Sequence, residues 1–495
     1  LAESLSGGIE SYMETFDNEI NRYLQEGRKY YIYGAQGTGL YCFDRISKRL
    51  GSDAVSGFIE TEPQMAQYCG KRIFSFSEIN VDEDAYIILA SANHAEEMKE
   101  NLQKIGMDMG KVIVLDTVYA YLKSLERYGG GIIKNVCFWP PIGDSDEDVR
   151  KKIAWFLPDR AMVTVWCEGN EEKRLGNNVY VGDQDREKVL QEADVIFVWD
   201  LEGASDVFEK YKGKAYVADP GFWYYTETMN ISSVYYKTFN AVEKEELVER
   251  SKSKFLELKA WPKKERANIF CSGSSIEEIY DNGFQGELNI ISNSMVKNDR
   301  LLKKIEPRLL VFSDVNFYVS PNEYCSRFYE DVLKTVRKYE TYIIVFDYIA
   351  PLVCRHFPQL KDRVIGIPYG ADMFVFPDVD NFHVKKTGNI LTELMLPIAS
   401  ALCDEIGIAG CTGRNPDETY YWRHNSDTQY LDLMQSVFDM YPSVFRDQKY
   451  DNYYSSHCRT VEEILEFGEK LNKRYVNMTT SYIPALKKRS ANKDQ

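Results

Sequence analysis

The sequence predicts an α/β protein made of several Rossmann-like, doubly wound parallel sheets. Three observations predict this: short apolar runs recur along the chain, helical stretches separate them, and most runs end on a polar or glycine-bearing turn. The chain has 495 residues, and at about 150 residues per domain it is expected to hold three domains. Their expected bounds are 1–130, 131–250 and 265–495. Hydrophobic residues at 44% and charged residues at 27% supply a large core and exclude global disorder. A net charge of −16 argues against a protein that coats duplex nucleic acid, although a local basic pocket for one nucleotide stays open.

The first expected element is an amphipathic helix over 10–27, with Ile9, Tyr12, Met13, Phe16, Ile20 and Tyr23 at helical spacing. A strand over Lys29–Tyr33 follows, then the turn Gly34-Ala-Gln-Gly37-Thr-Gly39 and a helix to about Leu50. Further strands are expected at Val55–Ile59, Ala85–Ala90 and Lys111–Leu115. The GxxGxG turn fits a nucleotide or pyrophosphate on a helix N-terminus, with Glu60 placed to hold a ribose. A tight strand-to-helix turn demands the same glycines without any ligand. Gly34, Gly37, Gly39 and Glu60 therefore form a candidate ligand loop with both explanations open.

Gly129-Gly-Gly131 breaks the chain before a second α/β segment, with strands expected at Asn135–Trp139, Met162–Trp166, Val195–Asp200 and Ala215–Ala218. No catalytic constellation is visible in it. A charged helix from 241 leads into the linker Pro262-Lys-Lys-Glu-Arg. The third segment opens with a strand over Ala267–Cys271, the turn Ser272-Gly273-Ser274-Ser275 and a helix starting at Ile276. Its later strands are Leu288–Ser292, Arg308–Phe312, Tyr342–Phe346, Arg363–Ile367 and Glu405–Ala409, with a long helix over 388–403. Ser272, Asn293, Asp314 and Thr412 each stand at the carboxyl end of a strand, the edge where open α/β sheets bind ligands.

Ten cysteines are scattered without a CxxC, which reads as reduced, buried thiols rather than disulfides or a zinc site. No metal is expected. Asp378-Val-Asp380 has the form of a DxD metal motif, but its Pro377-flanked loop in an acidic chain reads as a solvated turn. No run of about 18 uncharged apolar residues suggests a membrane span. The opening Leu1-Ala2-Glu3-Ser4 does not resemble a signal peptide, so the expected location is cytoplasmic, including the inner face of the membrane. The basic tail from Leu486 is compatible with an anionic membrane surface, or with plain disorder.

Of the five histidines, His94, His356, His383 and His424 lie in loops or among charges. His457 stands in Tyr453-Tyr-Ser-Ser-His457 directly before an expected helix over Val461–Lys470. At a helix entrance the dipole would disfavour protonation and keep the imidazole available as a general base. A capping or surface histidine explains the same pattern.

Three segments tip that balance: Ile269-Phe-Cys-Ser-Gly-Ser-Ser-Ile-Glu-Glu-Ile279, Ile406-Gly-Ile-Ala-Gly-Cys411 with its following loop, and Tyr454-Ser-Ser-His457 through Lys470 to Lys487. Through them, residues 268–490 resemble the bacterial sialyltransferases of glycosyltransferase family 42 and the related domain of motility-associated flagellin glycosylation factors. The resemblance implies a GT-A-like sialyltransferase fold and an inverting, metal-independent transfer from a CMP-sugar, with no cofactor. It implies that His457 deprotonates the acceptor and that Asn293 binds the cytidine nucleotide. Ser272 falls where the family's opening loop has an asparagine, within a loop that also holds Gly273 and Ser275. Asp314 replaces a further asparagine, and Asn389 lies near a segment that touches the donor sugar. In the loop after Thr412, Tyr420 corresponds to one tyrosine that binds the leaving phosphate, and Arg414 replaces the other with a cation able to do so bidentately. Tyr421 and Trp422 beside that loop could stack on a sugar face or simply pack.

The reading is thus an enzyme moving sialic acid or a related nonulosonic acid from a CMP-activated sugar onto a cell-surface glycan or lipid-linked oligosaccharide acceptor. No nucleic-acid partner is expected; a homo-oligomer is compatible. Two rivals stay open: a pterin diphosphokinase-like, ATP-dependent pyrophosphoryl transferase, and a non-catalytic scaffold of a glycan-assembly complex.

Overall fold

A computed structural model describes every residue outside 1–18, 35–37, 62, 64–65, 76–77, 80–84, 91–94, 116–131, 141–146, 158, 166–172, 175–178, 182–185, 199–204, 212–213, 218–225, 261–265, 282–283, 285–286, 372, 415–425, 442–449 and 492–495. Three mixed or parallel sheets make an α/β protein. The first holds β1 (Lys29–Tyr33), β2 (Val55–Ile59), β3 (Gln67–Tyr68), β4 (Lys71–Phe74), β5 (Ala85–Leu89) and β6 (Val112–Val114). Their order is β3-β4-β2-β1-β5-β6, and only the β3–β4 pair is antiparallel. The β3–β4 hairpin was not expected from the sequence, because Gln67-Tyr68 and Lys71–Phe74 carry too few apolar residues to announce a strand.

The second sheet holds β7 (Asn135–Trp139), β8 (Met162–Val165), β9 (Lys173–Arg174), β10 (Val179–Val181), β11 (Val195–Val198) and β12 (Ala215–Val217), in the order β12-β11-β7-β8-β10-β9. Its central strands divide their side chains between two neighbours. Val136, Phe138, Val195 and Phe197 belong to a core shared with the third sheet, whereas Cys137, Trp139, Ile196 and Val198 belong to a core shared with the first. This is the two-residue period of a strand, with each face buried against a different partner. Among the described residues the middle unit therefore shows no core of its own, and polar contacts reinforce the join: Trp155 Nε1 donates to the Val319 carbonyl (3.0 Å) and Lys152 Nζ to that of Met440 (3.0 Å). Trp155 also stacks on His356, with ring centroids 3.8 Å apart.

The third sheet holds β13 (Arg266–Phe270), β14 (Leu288–Ser292), β15 (Leu309–Val311), β16 (Tyr342–Phe346) and β17 (Val364–Ile367). A small parallel pair, β18 (Tyr369–Ala371) and β19 (Val384–Lys385), precedes its last two strands, β20 (Glu405–Ala409) and β21 (Arg474–Asn477). The order is β17-β16-β15-β14-β13-β20-β21, and every pairing is parallel. Strands β14, β15, β16 and β17 are buried along their whole length, as expected for a sheet covered on both faces. The chain winds outward from β13 to β17 and then returns to lay β20 and β21 on the other side of β13. That reversal places a switch point between the carboxyl ends of β13 and β20.

Helix Ala241–Ala260 buries Phe255 and Leu258 and lies along the edge strand β17. There Ser251 Oγ accepts the Gly366 N–H at 3.0 Å, satisfying a donor on the sheet's open edge. Two expected helices differ from expectation. After β13 the chain forms a 3-10 helix, Ser274–Ile279, and the stretch expected as one helix over 388–403 starts as a π-helical turn, Leu391–Met395, before the α-helix Leu396–Leu402. No helix among the described residues is long and apolar enough to cross a membrane.

Candidate functional site

The turns that follow β13 and β20 meet at the switch point. Cys271 N donates to the Ala409 carbonyl and Gly273 N to that of Gly410, both at 2.9 Å. Only glycine fits at 273 and 410. A Cβ on Gly273 would stand 2.4 Å from the Gly410 oxygen, and one on Gly410, whose φ is 71°, would stand 2.2 Å from the Cys271 oxygen. Thr412 Oγ1 accepts the Ser275 N–H at 2.9 Å and contacts Ser275 Oγ at 2.8 Å. Thr479, just beyond β21, joins this net. Its Oγ1 accepts the Gly410 N–H at 2.9 Å and the Ser275 hydroxyl at 3.2 Å.

These turns form one side of a pocket of about 80 Å³, lined by Ser272, Gly273, Asn293, Asn389, Thr412 and His457 among others. Five of the expected site residues with polar side chains thus share one cavity. Asn293 leaves β14 in a left-handed conformation (φ 53°), which asparagine tolerates better than most residues, and its buried Oδ1 has no hydrogen-bond partner among the described residues. An acceptor left unfilled inside a cavity is a place where a ligand N–H or O–H fits. Just ahead of the π-helical turn, Asn389 Oδ1 accepts the Leu391 N–H at 3.0 Å, and Glu393 reaches back to accept the Thr387 and Gly388 N–H groups at 3.0 and 2.6 Å.

His457 does not stand at a helix entrance. Helix Tyr450–Lys470 starts seven residues earlier, so His457 projects from its interior, and the expected dipole effect of a helix N-terminus does not apply. A different cause gives the same outcome. Burial to 5% exposure holds the imidazole down at about 4, so it is neutral at pH 7. Tyr454, one turn earlier on the same helix, accepts the Arg414 N–H through its phenolic oxygen at 3.0 Å. This bond ties the chain after Gly413 to the helix that carries His457.

Not every expected residue joins the pocket. Ser275 supports Thr412 from behind rather than lining the cavity. Arg414 follows the lining residue Gly413 and is positioned by its backbone. Asp314 also lies off the lining; its main chain starts the helix Val315–Tyr318, and desolvation, with the Glu393 carboxylate adding to it, pushes its carboxyl up to about 6. Tyr420, Tyr421, Trp422, His94 and His424 lie outside the described residues, as does Gly37. Thr479, Tyr454 and Glu393 were missed. Thr479-Thr-Ser481 repeats the pattern of a polar residue after an apolar strand and was legible in those terms.

In the first sheet, the Gly34 N–H donates to the Ile59 carbonyl (2.9 Å), and a Cβ on Gly39 would stand 1.9 Å from the Gly34 oxygen. The turn's own packing thus accounts for these two glycines. Glu60 continues the ladder through its N–H to the Phe74 carbonyl at 3.0 Å. Asp378 Oδ1 accepts the N–H groups of Asp380 (2.9 Å) and Asn381 (2.7 Å), a local turn that occupies an oxygen of the DxD motif. The basic tail is anchored through Lys488 and Arg489, which pair with Glu462 and Glu469 on the His457 helix. A larger cavity of about 270 Å³ lies beside β17, away from the carboxyl ends of β13 and β20. Of its cations, Arg355 is committed to the carbonyls of Trp155 and Leu157 and to Asp159.

No family model matches the chain, and no curated protein matches it in sequence.

Proposed function

We propose that the third unit is a glycosyltransferase, inverting and metal-independent, that moves sialic acid or a related nonulosonic acid from a CMP-sugar to a glycan acceptor. One observation carries this reading: a neutral, buried imidazole shares a switch-point pocket with Ser272, Asn293, Asn389 and Thr412. The resemblance to family 42 sialyltransferases supplies the substrate class and a GT-A-like assignment for the fold.

In this reading the amides of Asn293 and Asn389 and the hydroxyls of Ser272 and Thr412 hold the polar donor. His457 accepts the proton of the acceptor hydroxyl as that oxygen attacks the anomeric carbon, and CMP departs. Arg414, just beyond the lining, neutralises the departing phosphate. An imidazole held near 4 is a weak base, but an anionic phosphate brought close to it raises its proton affinity, so the donor itself tunes the base. The pocket's 80 Å³ is well below the roughly 300 Å³ of common ligand sites, so a nucleotide-sugar must widen it or extend beyond it.

The test is CMP release from a panel of CMP-sugars without acceptor. The expected outcome is release from at least one donor, unchanged by EDTA, with a loss of about 100-fold or more in His457→Ala and a large loss in Arg414→Ala. Titration with CMP against ATP plus magnesium separates this reading from a pyrophosphoryl transferase. Turnover indifferent to both substitutions overturns the assignment.

A further inference from the structure

Two thiols meet on the wall of the switch-point pocket. Cys271 follows β13 directly, and Cys411 lies two residues beyond the end of β20. The sulfur of Cys411 stands 2.6 Å from that of Cys271, with the Cys411 thiol donating. In the β13–β20 register Phe270 faces Ala409, so Cys271 falls opposite Gly410 and Cys411 one residue further on. Gly410, between the strand and Cys411, is left-handed (φ 71°). Access is unequal: Cys271 is half-buried, whereas Cys411 is 6% exposed. Donation to Cys271 and burial together push the Cys411 thiol well above its ordinary range. Cys42, Cys137 and Cys325 are placed differently: all three are buried, and burial pushes each thiol up to about 12.

We infer that Cys271 and Cys411 form a reversible disulfide site in the pocket wall, closed by a low-molecular-weight disulfide such as oxidised glutathione. The accessible Cys271 thiolate attacks one glutathione sulfur, forming a mixed disulfide and releasing one glutathione thiolate. Cys411 loses its proton to solvent, and its sulfur attacks the Cys271 sulfur. The Cys271–Cys411 bond forms as the second glutathione thiolate leaves. Two protein thiols are oxidised and one glutathione disulfide is reduced to two thiols. The bond would tie the Ser272–Gly273 turn to the Cys411–Thr412 turn, on the wall that the ligand would touch.

The site is independent of what the pocket binds, so its test reads covalent structure rather than turnover. The full-length chain is equilibrated with oxidised glutathione, denatured, alkylated and digested for mass spectrometry. The expected result is loss of alkylation at Cys271 and Cys411 and a linked pair of peptides bearing them, two hydrogens lighter than the separate peptides, reversed by dithiothreitol. In Cys411→Ser, Cys271 should stop at the glutathione adduct. In Cys271→Ser, Cys411 should stay a thiol. The inference is overturned if both thiols of the unmodified protein survive under conditions that oxidise the glutathione pool. It is equally overturned if Cys271 is recovered bonded to a different cysteine.

Discussion

The first and third sheets share a winding rule, and the described residues at their switch points differ. In both, a central first strand is flanked by an early neighbour and by a later one, so a crevice opens at the carboxyl ends. Around β1 and β5, the described backbone is drawn together: Ala90 N donates to the Tyr33 carbonyl at 2.8 Å, and Gly34 faces Ala90. Around β13 and β20 the backbones are just as close, but Ser272, Asn293, Asn389, Thr412 and His457 surround an open space. Topology fixes where a crevice lies; the residues at the strand ends decide which polar side chains stand around it.

The sharpest way to break this contrast is to close the third crevice. Gly273→Val should abolish CMP binding and lower the melting temperature, because its Cβ meets backbone oxygen at 2.4 Å and cannot be accommodated by a rotamer change. Gly39→Val, more crowded still in the first sheet, should destabilise without this specific loss. Calorimetry and titration on both variants check the pair, and loss of binding in both would erase the distinction.

A pH series adds a smaller effect. His457 and His356 are both held at about 4 by burial, against about 6.5 in an unfolded chain. Between those values the unfolded chain takes up protons that the folded chain refuses, so stability falls as pH drops from about 6.5 toward 4. Asp314 runs the other way. Its carboxyl is raised to about 6, so its contribution is complete below about 3.9 and is lost as pH rises through 6. Asp314→Asn should therefore raise the melting temperature at pH 7 and enlarge the drop on acidification to pH ~4.5. Equal melting temperatures at pH 7 would show that the carboxyl is not the strained group.

Asn293 allows a finer cut. Asn293→Gly keeps the left-handed backbone and removes the amide, whereas Asn293→Ala loses both, costing about 1 kcal/mol more in stability. Both should weaken CMP binding alike, as measured by calorimetry. The smallest effect is expected from Glu60→Ala, which should leave CMP affinity within about twofold, below the ~1.4 kcal/mol of a tenfold change.

The strand ends were legible because an apolar run that stops at Ser272, Asn293 or Thr412 marks both the sheet and its carboxyl edge. The setting of His457 was not. Tyr450 to Ser456 is polar and aromatic, with no periodic apolar stripe and no alanine or leucine, so its helix is held by tertiary contacts such as that of Tyr454 with the 413–414 turn. Glu393 was hidden for a related reason. Its role depends on a π-helical turn that bends it back onto Thr387 and Gly388, and no spacing rule announces such a turn. The sharing of cores was equally invisible, since a strand pattern says which side chains alternate but not what covers each side.

The alternating strands of the middle sheet have a practical consequence for anyone dissecting this chain. A fragment cut near residue 265 would strip the cover from Val319, His356 and their neighbours, leaving an adhesive scar where Trp155 had lain. The third unit is thus a poor cassette for grafting, and swapping it between proteins would require its neighbour to travel with it.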